Sequence, residues 1–321
     1  MKAYQFESPD TGLTLVDIAE PVAGPGQVLL DVEAAGMCQS DVHIVNGHGD
    51  AWLRKRPIVL GHEVAGTISD VGPGVDDFAV GDRVVVALIS HPVEQADFAD
   101  AIGLGFDGGY AIKVAVPQLN LIRIPDSVPM TLAAVATDST ATAYHAVAVE
   151  AEAAPGMNIV IVGLGGLGLN GVRIAALRGA TVYGVDIDDT VFGTAESQGA
   201  EACYSSVADV PGVVDVVVDF AGMGTTTAQA VELVKPGGRV VVVGLGSPEA
   251  TIPTHLLVTK NVQIRGSIGS SLDELREVLG LIADGSLSPV VEEFPFQELP
   301  AALRRLEAGK VRGRLVTRPG V

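Results

Sequence analysis

The chain has 321 residues, 48% of them apolar and 4% aromatic, and a formal net charge of −19. That length allows two domains with ample cores, whereas the acidity excludes DNA and anionic membranes as partners and the scarcity of aromatic side chains argues against base-stacking surfaces. The beginning of the chain has no apolar signal core, no run reaches the ~18 apolar residues of a membrane span, and the two cysteines, Cys38 and Cys203, cannot form a disulfide framework. We therefore expect a soluble cytoplasmic protein.

The first part of the chain, up to residue 125, is predicted to be all-β, in the form of a partly closed barrel. Turn signals rich in glycine separate short apolar runs. Strand patterns occupy 14–20, 28–35 and 66–72, and residues 76–87 end in a buried strand.

From residue 126 onwards the pattern changes to helices alternating with strands. An Ala-rich helix is predicted over 130–147, then strands at 158–163, 180–186, 213–220, 238–244 and 261–266, and helices at 169–178, 190–199 and 225–234. Near-continuous Val and Ile strands between helices indicate a parallel sheet covered on both faces. An amphipathic helix over 271–285 and a strand at 315–317 complete the chain.

A glycine loop follows the first strand of this second part. Gly163, Gly165 and Gly168 form G-x-G-x-x-G between a strand and a helix, and Asp186 ends the next strand. This context predicts a dinucleotide site, with the pyrophosphate at the helix start and Asp186 on the adenosine ribose. The plainer alternative is an ordinary tight turn. Because the acidic residues 188–189 follow and no basic residue is near, NAD is favoured over NADP.

Cys38 and His62 are candidate zinc ligands, because a thiolate and an imidazole both suit that metal. Each has a plainer reading, since a lone Cys is usually a small buried hydrophobe and a lone His a hydrogen-bonded polar residue. A metal site combined with a dinucleotide loop suggests one chemistry, in which the metal polarises an alcohol or carbonyl and a nicotinamide exchanges a hydride with it.

Four motifs give the chain a wider resemblance: G-M-C-Q-S-D-V-H at 36–43, L-G-H-E-V-A-G-T-I at 60–68, V-G-D-R-V at 80–84 and V-G-L-G-G-L-G at 162–168. Over essentially its whole length the chain resembles the zinc-dependent alcohol dehydrogenases of the medium-chain dehydrogenase/reductase superfamily. The resemblance implies an α/β protein. A GroES-like, partly open β-barrel catalytic domain would cover 1–139 and 269–321, and a Rossmann NAD domain with a doubly wound parallel sheet would cover 140–268. The active site would lie in the cleft between them.

The resemblance also implies roles at the metal. Cys38 and His62 match two ligands of the catalytic zinc, and Asp138 matches the third. Glu63 matches a neighbouring carboxylate that serves as an alternate ligand, and Asp41 matches a carboxylate that orients His62. Asp41 and Glu63 could instead be ordinary turn residues.

Ser40 and His43 match the family's proton relay. In that scheme the hydroxyl passes the alcohol proton through the cofactor ribose to a histidine that titrates near neutrality. His43 could instead be a structural hydrogen-bonding residue.

The cofactor positions implied by the resemblance are spread along the chain. Thr142 would contact the nicotinamide, the 243, 267 and 269 positions would grip its carboxamide, and Arg314 would lie near the pyrophosphate. Gln39 stands where several relatives carry a phosphate-binding Arg. The full set is Gln39, Thr142, Gly163, Gly165, Gly166, Leu167, Gly168, Asp186, Ile187, Phe220, Val243, Gly244, Leu245, Ser267, Gly269 and Arg314.

One departure concerns a second metal. Many relatives carry four close cysteines in a lobe after the V-G-D-R strand, whereas the corresponding segment 90–109 has none. We therefore expect one catalytic zinc and no structural zinc.

The expected reaction is the reversible oxidation of a primary or secondary alcohol to an aldehyde or ketone. Apolar pocket candidates favour apolar or aromatic substrates: Trp52, Leu88, Met223 and Leu245. The strand at 261–268 would pair subunits into a homodimer or homotetramer. Two alternatives stay open, a zinc-free reductase of the same superfamily acting on quinones or activated double bonds, and a non-catalytic dinucleotide-binding redox sensor.

Overall fold

The chain divides into two units by its internal contacts. In the computed structural model, which describes residues 1–95, 97 and 99–320, the first unit is Met1–Ala141 with Gly269–Val321 and the second is Thr142–Ile268. The sequence predicts the first boundary between residues 139 and 140. Ala96 and Phe98, which belong to the segment 90–109, and Val321 at the end of the predicted catalytic domain, lie outside the described residues.

Short strands make up most of the first half of the first unit. They are β1 (Lys2–Phe6), β2 (Leu13–Asp17), β3 (Gln27–Met37), β4 (Ile58–Val59), β5 (Glu63–Val71), β6 (Arg83–Val86), β7 (Lys113–Pro117) and β8 (Leu121–Arg123). Three 3₁₀ turns lie among them, at Asp50–Trp52, Val93–Gln95 and Gln118–Asn120.

The sequence predicts that this half is all-β, but the structure differs, because Gln39–Val45 forms a helix, α1. The helix begins directly after β3, where Asp41 in its first turn accepts the Cys38 backbone N–H at 2.9 Å. A carboxylate at that position satisfies one of the N–H groups at the helix start and interacts favourably with the helix dipole.

The predicted helix over 130–147 is present, with two interruptions. It consists of α2 (Met130–Val135), a π-helical turn at Ala136–Thr140, α3 (Ala141–Tyr144) and a second π-helical turn at His145–Glu150. Such turns are rare and occur often at functional sites. Asp138, the predicted third metal ligand, lies in the first of them.

The second unit alternates strands and helices as the sequence predicts. Its elements are β9 (Asn158–Val162), α4 (Gly166–Leu177), β10 (Thr181–Val185), α5 (Phe192–Gln198), β11 (Ala200–Tyr204), β12 (Val214–Asp219), α6 (Thr225–Leu233), β13 (Val234–Val242), α7 (Thr254–Thr259) and β14 (Gln263–Gly266), with 3₁₀ turns at Asp189–Val191 and Val207–Asp209.

All pairings in this sheet are parallel, in the order β11-β10-β9-β12-β13-β14. Alternate valines of these strands form one core with Val231 of α6, and the residues between them, such as Ile159 and Ile161, are buried as well, which explains why the strands appear as nearly continuous apolar runs. The carboxyl ends of parallel strands share one edge of the sheet, so the loops after them converge there.

The end of the chain returns to the first unit. It contains α8 (Leu272–Ala283), β15 (Val291–Phe294), a 3₁₀ turn at Phe296–Glu298, α9 (Leu299–Glu307) and β16 (Arg314–Thr317). The larger sheet of this unit runs β15-β16-β3-β5-β6-β8, with β7 also paired to β3, and a smaller sheet runs β2-β1-β4. Strand β16 thereby lies beside β3, and Arg314 comes close to the segments that carry Cys38 and Glu63.

Within the residues described, no helix is both long enough and apolar enough to cross a membrane.

Candidate functional site

The first side chains of the site come from the junction of β3 and α1. Cys38, 7% exposed, directly follows the strand, and the start of α1 brings Ser40 beside it, with 3.4 Å between the Ser40 hydroxyl and the Cys38 sulfur. Asp41 is fully buried, and its Oδ2 accepts the Cys38 N–H. The helix start therefore fixes a sulfur, a hydroxyl and a carboxylate within one turn.

His62 lies immediately before β5 and turns its two ring nitrogens to different carboxylates. Nδ1 is 3.7 Å from Asp41 Oδ1, and Nε2 is 3.6 Å from Asp138 Oδ2. Both His62 Nδ1 and Asp41 Oδ1 are buried without a hydrogen-bond partner. A small closure would pair them, which would direct Nε2 towards Cys38 and Asp138.

Cys38, His62 and Asp138 form a buried group whose ligand atoms all lie within 4.8 Å of one another. Sulfur, imidazole nitrogen and carboxylate oxygen together are a ligand set suited to zinc, and three protein ligands are the number found in catalytic sites that keep a position for substrate. The unpartnered atoms His62 Nδ1 and Asp41 Oδ1 fit the same interpretation, because a zinc-ligating histidine is commonly held by a carboxylate at the ring nitrogen that does not bind the metal.

The charge around His62 also favours a cation. Burial by itself lowers the pKa of His62, but the charge of Asp41 and hydrogen bonds with Asp138 and Cys38 outweigh burial and leave the pKa well above its ordinary value. A pocket that retains a proton so strongly is one in which a metal cation would be stabilised by the same groups.

Arg314 links Glu63 to Asp138 behind this group. Its Nε and Nη2 donate to the two Glu63 oxygens at 3.0 and 2.9 Å, and Nη2 also donates to Asp138 Oδ2 at 2.7 Å. Glu63 accepts in addition the Ser139 N–H at 2.8 Å. Burial raises the pKa of Glu63 and Arg314 opposes that rise. Arg314, 4% exposed, thus neutralises two carboxylates here, and its contact with a pyrophosphate stays a prediction.

Ser40 and His43 lie three residues apart on α1, a spacing that places them on one face. His43 is half-buried, with its ring centroid 6.3 Å from that of Trp52 and 6.4 Å from that of His48. Burial lowers the pKa of His43, and the charge of His48 lowers it further. His43 is therefore neutral near pH 7 and able to accept a proton.

Tyr110 was not singled out by the sequence. Its buried hydroxyl lies 2.8 Å from Asp41 Oδ2 and 3.2 Å from the Gly36 carbonyl oxygen. Burial and the Asp41 charge raise its pKa well above the ordinary value, so the hydroxyl keeps its proton and donates. The only sequence signal would have been a tyrosine after two glycines at 108–109, and nothing in that pattern points to Asp41.

The glycine loop of the second unit connects β9 to α4. A Cβ on Gly168 would lie 1.7 Å from the Gly163 carbonyl oxygen, so only glycine allows the helix to pack against the strand. A Cβ on Gly165, by contrast, would meet nothing within 4 Å. Neighbouring atoms do not require a glycine at 165, but the close approach of a pyrophosphate to the helix start would.

Asp186 lies directly after β10, beside this loop. Its Oδ2 accepts the Leu164 N–H at 2.7 Å and its Oδ1 accepts the Asp188 N–H at 3.0 Å. The carboxylate is thereby held at the strand end where a ribose would be expected. Ile187, next to it, is 95% exposed.

The remaining cofactor candidates divide between the two units. Phe220, Val243 with Gly244 and Leu245, and Ser267 follow β12, β13 and β14, so they share the sheet edge at which Gly163 and Asp186 lie. Thr142 is buried at the start of the second unit. Gln39, Gly269 and Arg314 belong to the first unit, as do the pocket candidates Trp52 and Leu88, both half-buried. Met223 and Leu245 are exposed in the second unit.

Asp219, at the end of β12, is a further residue that sequence reasoning missed. It is fully buried, and its oxygens accept N–H groups of Ala221 and Gly222 and hydroxyls of Thr226 and Thr227. It shapes the loop that carries Phe220. A carboxylate directly after three consecutive valines at 216–218 was a readable signal for such a role.

Comparison with known proteins gives the same assignment along the whole chain. Residues 24–126 match the alcohol dehydrogenase GroES-like domain, and residues 166–284 match the zinc-binding dehydrogenase family. An alcohol dehydrogenase of Geobacillus stearothermophilus is 30% identical over 98% of this chain and 98% of its own. NADP-dependent alcohol dehydrogenase C 1 of Mycolicibacterium smegmatis is 28% identical over 98% and 97% of the two chains.

Solved structures agree with this. Acetophenone reductase from Geotrichum candidum, in complex with NAD, matches with a TM-score of 0.91 at 34% identity over 99% of this chain and 97% of its own. The alcohol dehydrogenase of the archaeon Aeropyrum pernix matches with a TM-score of 0.90 at 29% identity over 99% and 100% of the two chains. The predicted resemblance and fold are confirmed, and the chain belongs to the zinc-dependent alcohol dehydrogenases of the medium-chain dehydrogenase/reductase superfamily.

Proposed function

We propose that this chain catalyses reversible hydride transfer between a primary or secondary alcohol, or the matching aldehyde or ketone, and NAD. One zinc ion would be held by Cys38, His62 and Asp138, with Glu63 as an alternate ligand. The observation that carries this proposal is the buried N, S and O group whose atoms lie within 4.8 Å of one another. The zinc-free reductase and the redox sensor require no such set.

The residues of this chain around the reacting centre would have different roles in the reaction. Bound zinc would polarise the substrate oxygen and NAD would accept or supply the hydride. Asp41, which faces His62 Nδ1 at 3.7 Å, would orient that ring, and Arg314 holds Glu63 and Asp138. Ser40, beside the Cys38 sulfur, would take the alcohol proton, and the neutral His43 would be the base that finally receives it.

The experiment that tests this measures metal content and turnover together. Protein expressed with zinc should contain one zinc per chain and change the absorbance at 340 nm with alcohols and NAD. Cys38→Ser should lose zinc and turnover while the fold is kept. Cys203→Ser is the matched control, because burial raises the pKa of Cys203 to about 11 and the thiol stays protonated. Two zinc ions per chain, or none, would contradict the proposal.

The substrate class we propose is apolar or aromatic. The half-buried Trp52 and Leu88 supply an apolar lining in the first unit, and the Geotrichum relative is named for its action on acetophenone. A panel of aryl ketones, aliphatic ketones and polyols, compared by kcat/KM, should rank the polyols last.

NAD is proposed in preference to NADP because a 2′-phosphate would meet the charge of Asp186 with Asp188 and Asp189. The relative from Mycolicibacterium is NADP-dependent by name, so the family alone does not decide the cofactor. Asp186→Asn keeps an oxygen for the Leu164 N–H and removes the charge. It should narrow the ratio of kcat/KM for NAD over NADP, and an unchanged ratio would speak against this role of Asp186.

Two further proposals concern the whole protein. A homodimer or homotetramer is supported by β14, which lies at the edge of its sheet. A cytoplasmic location is supported by Cys38 and Cys203, both free thiols, which persist in a reducing compartment.

A further inference from the structure

We propose that Tyr110 is a positioning residue for the metal centre. Its hydroxyl fixes the Asp41 carboxylate, and its ring fixes the backbone directly before His62. The inference rests on the proposed zinc site. Tyr110 itself donates to no metal ligand side chain, so it would act through Asp41 and through the main chain.

The hydroxyl contact concerns the carboxylate behind His62. Tyr110 Oη lies 2.8 Å from Asp41 Oδ2, and its single proton goes to this charged acceptor rather than to the Gly36 carbonyl oxygen at 3.2 Å. Oδ2 also accepts the Cys38 N–H at 2.9 Å. These two donors hold one oxygen of Asp41, and the other oxygen, Oδ1, is thereby turned towards His62 Nδ1.

The Tyr110 backbone and ring contact the main chain directly before His62. The Tyr110 N–H donates to the Leu60 carbonyl at 3.0 Å, and the Gly109 N–H donates to the Gly61 carbonyl at 2.8 Å. Gly61 has a φ of +92°, and a Cβ there would lie 2.7 Å from the Tyr110 ring. The ring therefore packs flush against the main chain directly before the ligand histidine.

Together these contacts make Tyr110 a junction between two ligand segments. The hydroxyl holds the start of α1, where Cys38 and Asp41 lie, and the ring and backbone hold the residues before His62. Removing only the hydroxyl would leave Asp41 Oδ2 with the Cys38 N–H and free the carboxylate to rotate. His62 Nδ1 would then lose the carboxylate oxygen that faces it at 3.7 Å, while the packing of the Tyr110 ring stayed intact.

Tyr110→Phe is the test, and Tyr4→Phe is its matched control. Tyr4 is a second buried tyrosine of the same unit, whose hydroxyl donates to the Gln297 carbonyl at 2.8 Å instead of to the site. Zinc affinity is measured by competition with a chromophoric chelator, and the ligand field by the visible spectrum of the cobalt-substituted protein. Tyr110→Phe should weaken zinc binding by about 10- to 100-fold, the usual loss when a partner behind a ligand is removed. Tyr4→Phe should leave affinity and spectrum unchanged.

Asp41→Asn and the double variant identify the route. If Tyr110 acts through Asp41, Tyr110→Phe combined with Asp41→Asn should bind zinc no more weakly than Asp41→Asn alone. Additive losses would overturn that route, and equal affinities for wild type and Tyr110→Phe would overturn the inference while the proposed function stands. Wild-type protein that binds no zinc would overturn the proposed function and the inference with it.

Discussion

Arg314 is the residue on which the charge balance of the buried site depends. It neutralises Glu63 and Asp138 from within the first unit, and replacing it would leave two buried carboxylates without their cation. In zinc-free protein, Arg314→Gln should lower the free energy of unfolding by about 3–5 kcal/mol, the usual cost of breaking a buried ion pair. Arg314→Lys should recover part of this loss, because it keeps the charge but not the two-pronged geometry.

Urea unfolding of the chelator-treated protein measures this effect. Arg312→Gln, an exposed neighbour two residues earlier in the chain, is the control and should change the unfolding free energy by no more than about 0.5 kcal/mol. If Arg314→Gln unfolds at the same urea concentration as Arg312→Gln, the guanidinium does not balance the two carboxylates.

The proposed role of His43 in the proton relay predicts a specific dependence of kcat/KM on pH. Burial and then His48 lower the pKa of His43 from its ordinary 6.5. Only neutral His43 can accept a proton, so kcat/KM should fall as the pH drops through a pKa below that value. His48→Gln removes a neighbouring positive charge, which raises the pKa of His43 and should move this acid limb to higher pH.

His43→Gln should abolish the acid limb and reduce the rate more at neutral pH than at high pH, where solvent base substitutes. The check is a profile of kcat/KM against pH for the three proteins, since this parameter reports groups of the free enzyme. A shift to lower pH in His48→Gln, or an unchanged limb in His43→Gln, would contradict the relay.

Among single residues, the sequence reached those whose role follows from local motifs. Cys38, His62 and Asp138 were candidates, and the structure does bring them together. Tyr110 was out of reach, because its partner Asp41 is 69 residues away and the contact exists only through the folding of both segments around the β3–β5 pair. The Arg314 contact with Glu63 spans 251 residues and depends in the same way on β16.

At the level of elements, the loop between β9 and α4 contains one glycine that folding requires and one that only cofactor binding would require. Gly168 has no room for a Cβ, whereas Gly165 has open space and a φ of −79° that alanine adopts easily. Gly165→Ala should therefore keep the melting temperature and weaken NAD binding by about tenfold, ~1.4 kcal/mol. Gly168→Ala should lower the melting temperature, because its Cβ would force α4 away from β9.

Isothermal titration with NAD and thermal unfolding distinguish the two variants, and each serves as the control for the other. If Gly165→Ala binds NAD as wild type does, the loop is not the pyrophosphate site. If Gly168→Ala has the same melting temperature as wild type, α4 can pack against β9 with a Cβ at position 168, and the requirement for glycine there is wrong.

Secondary structure was predictable where a pattern ran for a full element. The second unit's strands are buried on both faces and so appear as nearly continuous Val and Ile runs, for example in β9. Helix α1 was missed because it has only seven residues and owes its start to Asp41 rather than to a periodic apolar face. The π-helical turn at 136–140 and the first part of the one at 145–150 were predicted as helix, which ended at residue 147, but their wider winding leaves no mark in the apolar pattern.

In the molecule as a whole, the last part of the chain belongs to the same unit as the first part. Strand β16 pairs with β3, and Arg314 at its first position reaches Glu63 and the proposed ligand Asp138. The first unit is therefore built from two separate stretches of the chain, Met1–Ala141 and Gly269–Val321. A protein truncated before residue 290 should lose the charge balance of the site as well as part of the sheet.

The free edge of the second unit's sheet predicts how copies associate. Strand β14 pairs with β13 on one side and ends the strand order on the other, and Ile264 is 37% exposed on it. An edge strand with an exposed apolar side chain is open to pairing with its own copy across a two-fold axis. Ile264→Lys should therefore dissociate the oligomer while each chain stays folded.

Light scattering at micromolar concentration measures this against the 32.9 kDa mass of the chain. Val262→Lys should behave differently, because Val262 is 9% exposed and belongs to the core of the second unit, so a charge there unfolds the domain. Leu119→Lys, which adds the same charge at a 71% exposed position of the first unit, should change neither mass nor folding. A wild-type mass of one chain, or an Ile264→Lys protein as large as wild type, would rule out β14 as the subunit contact.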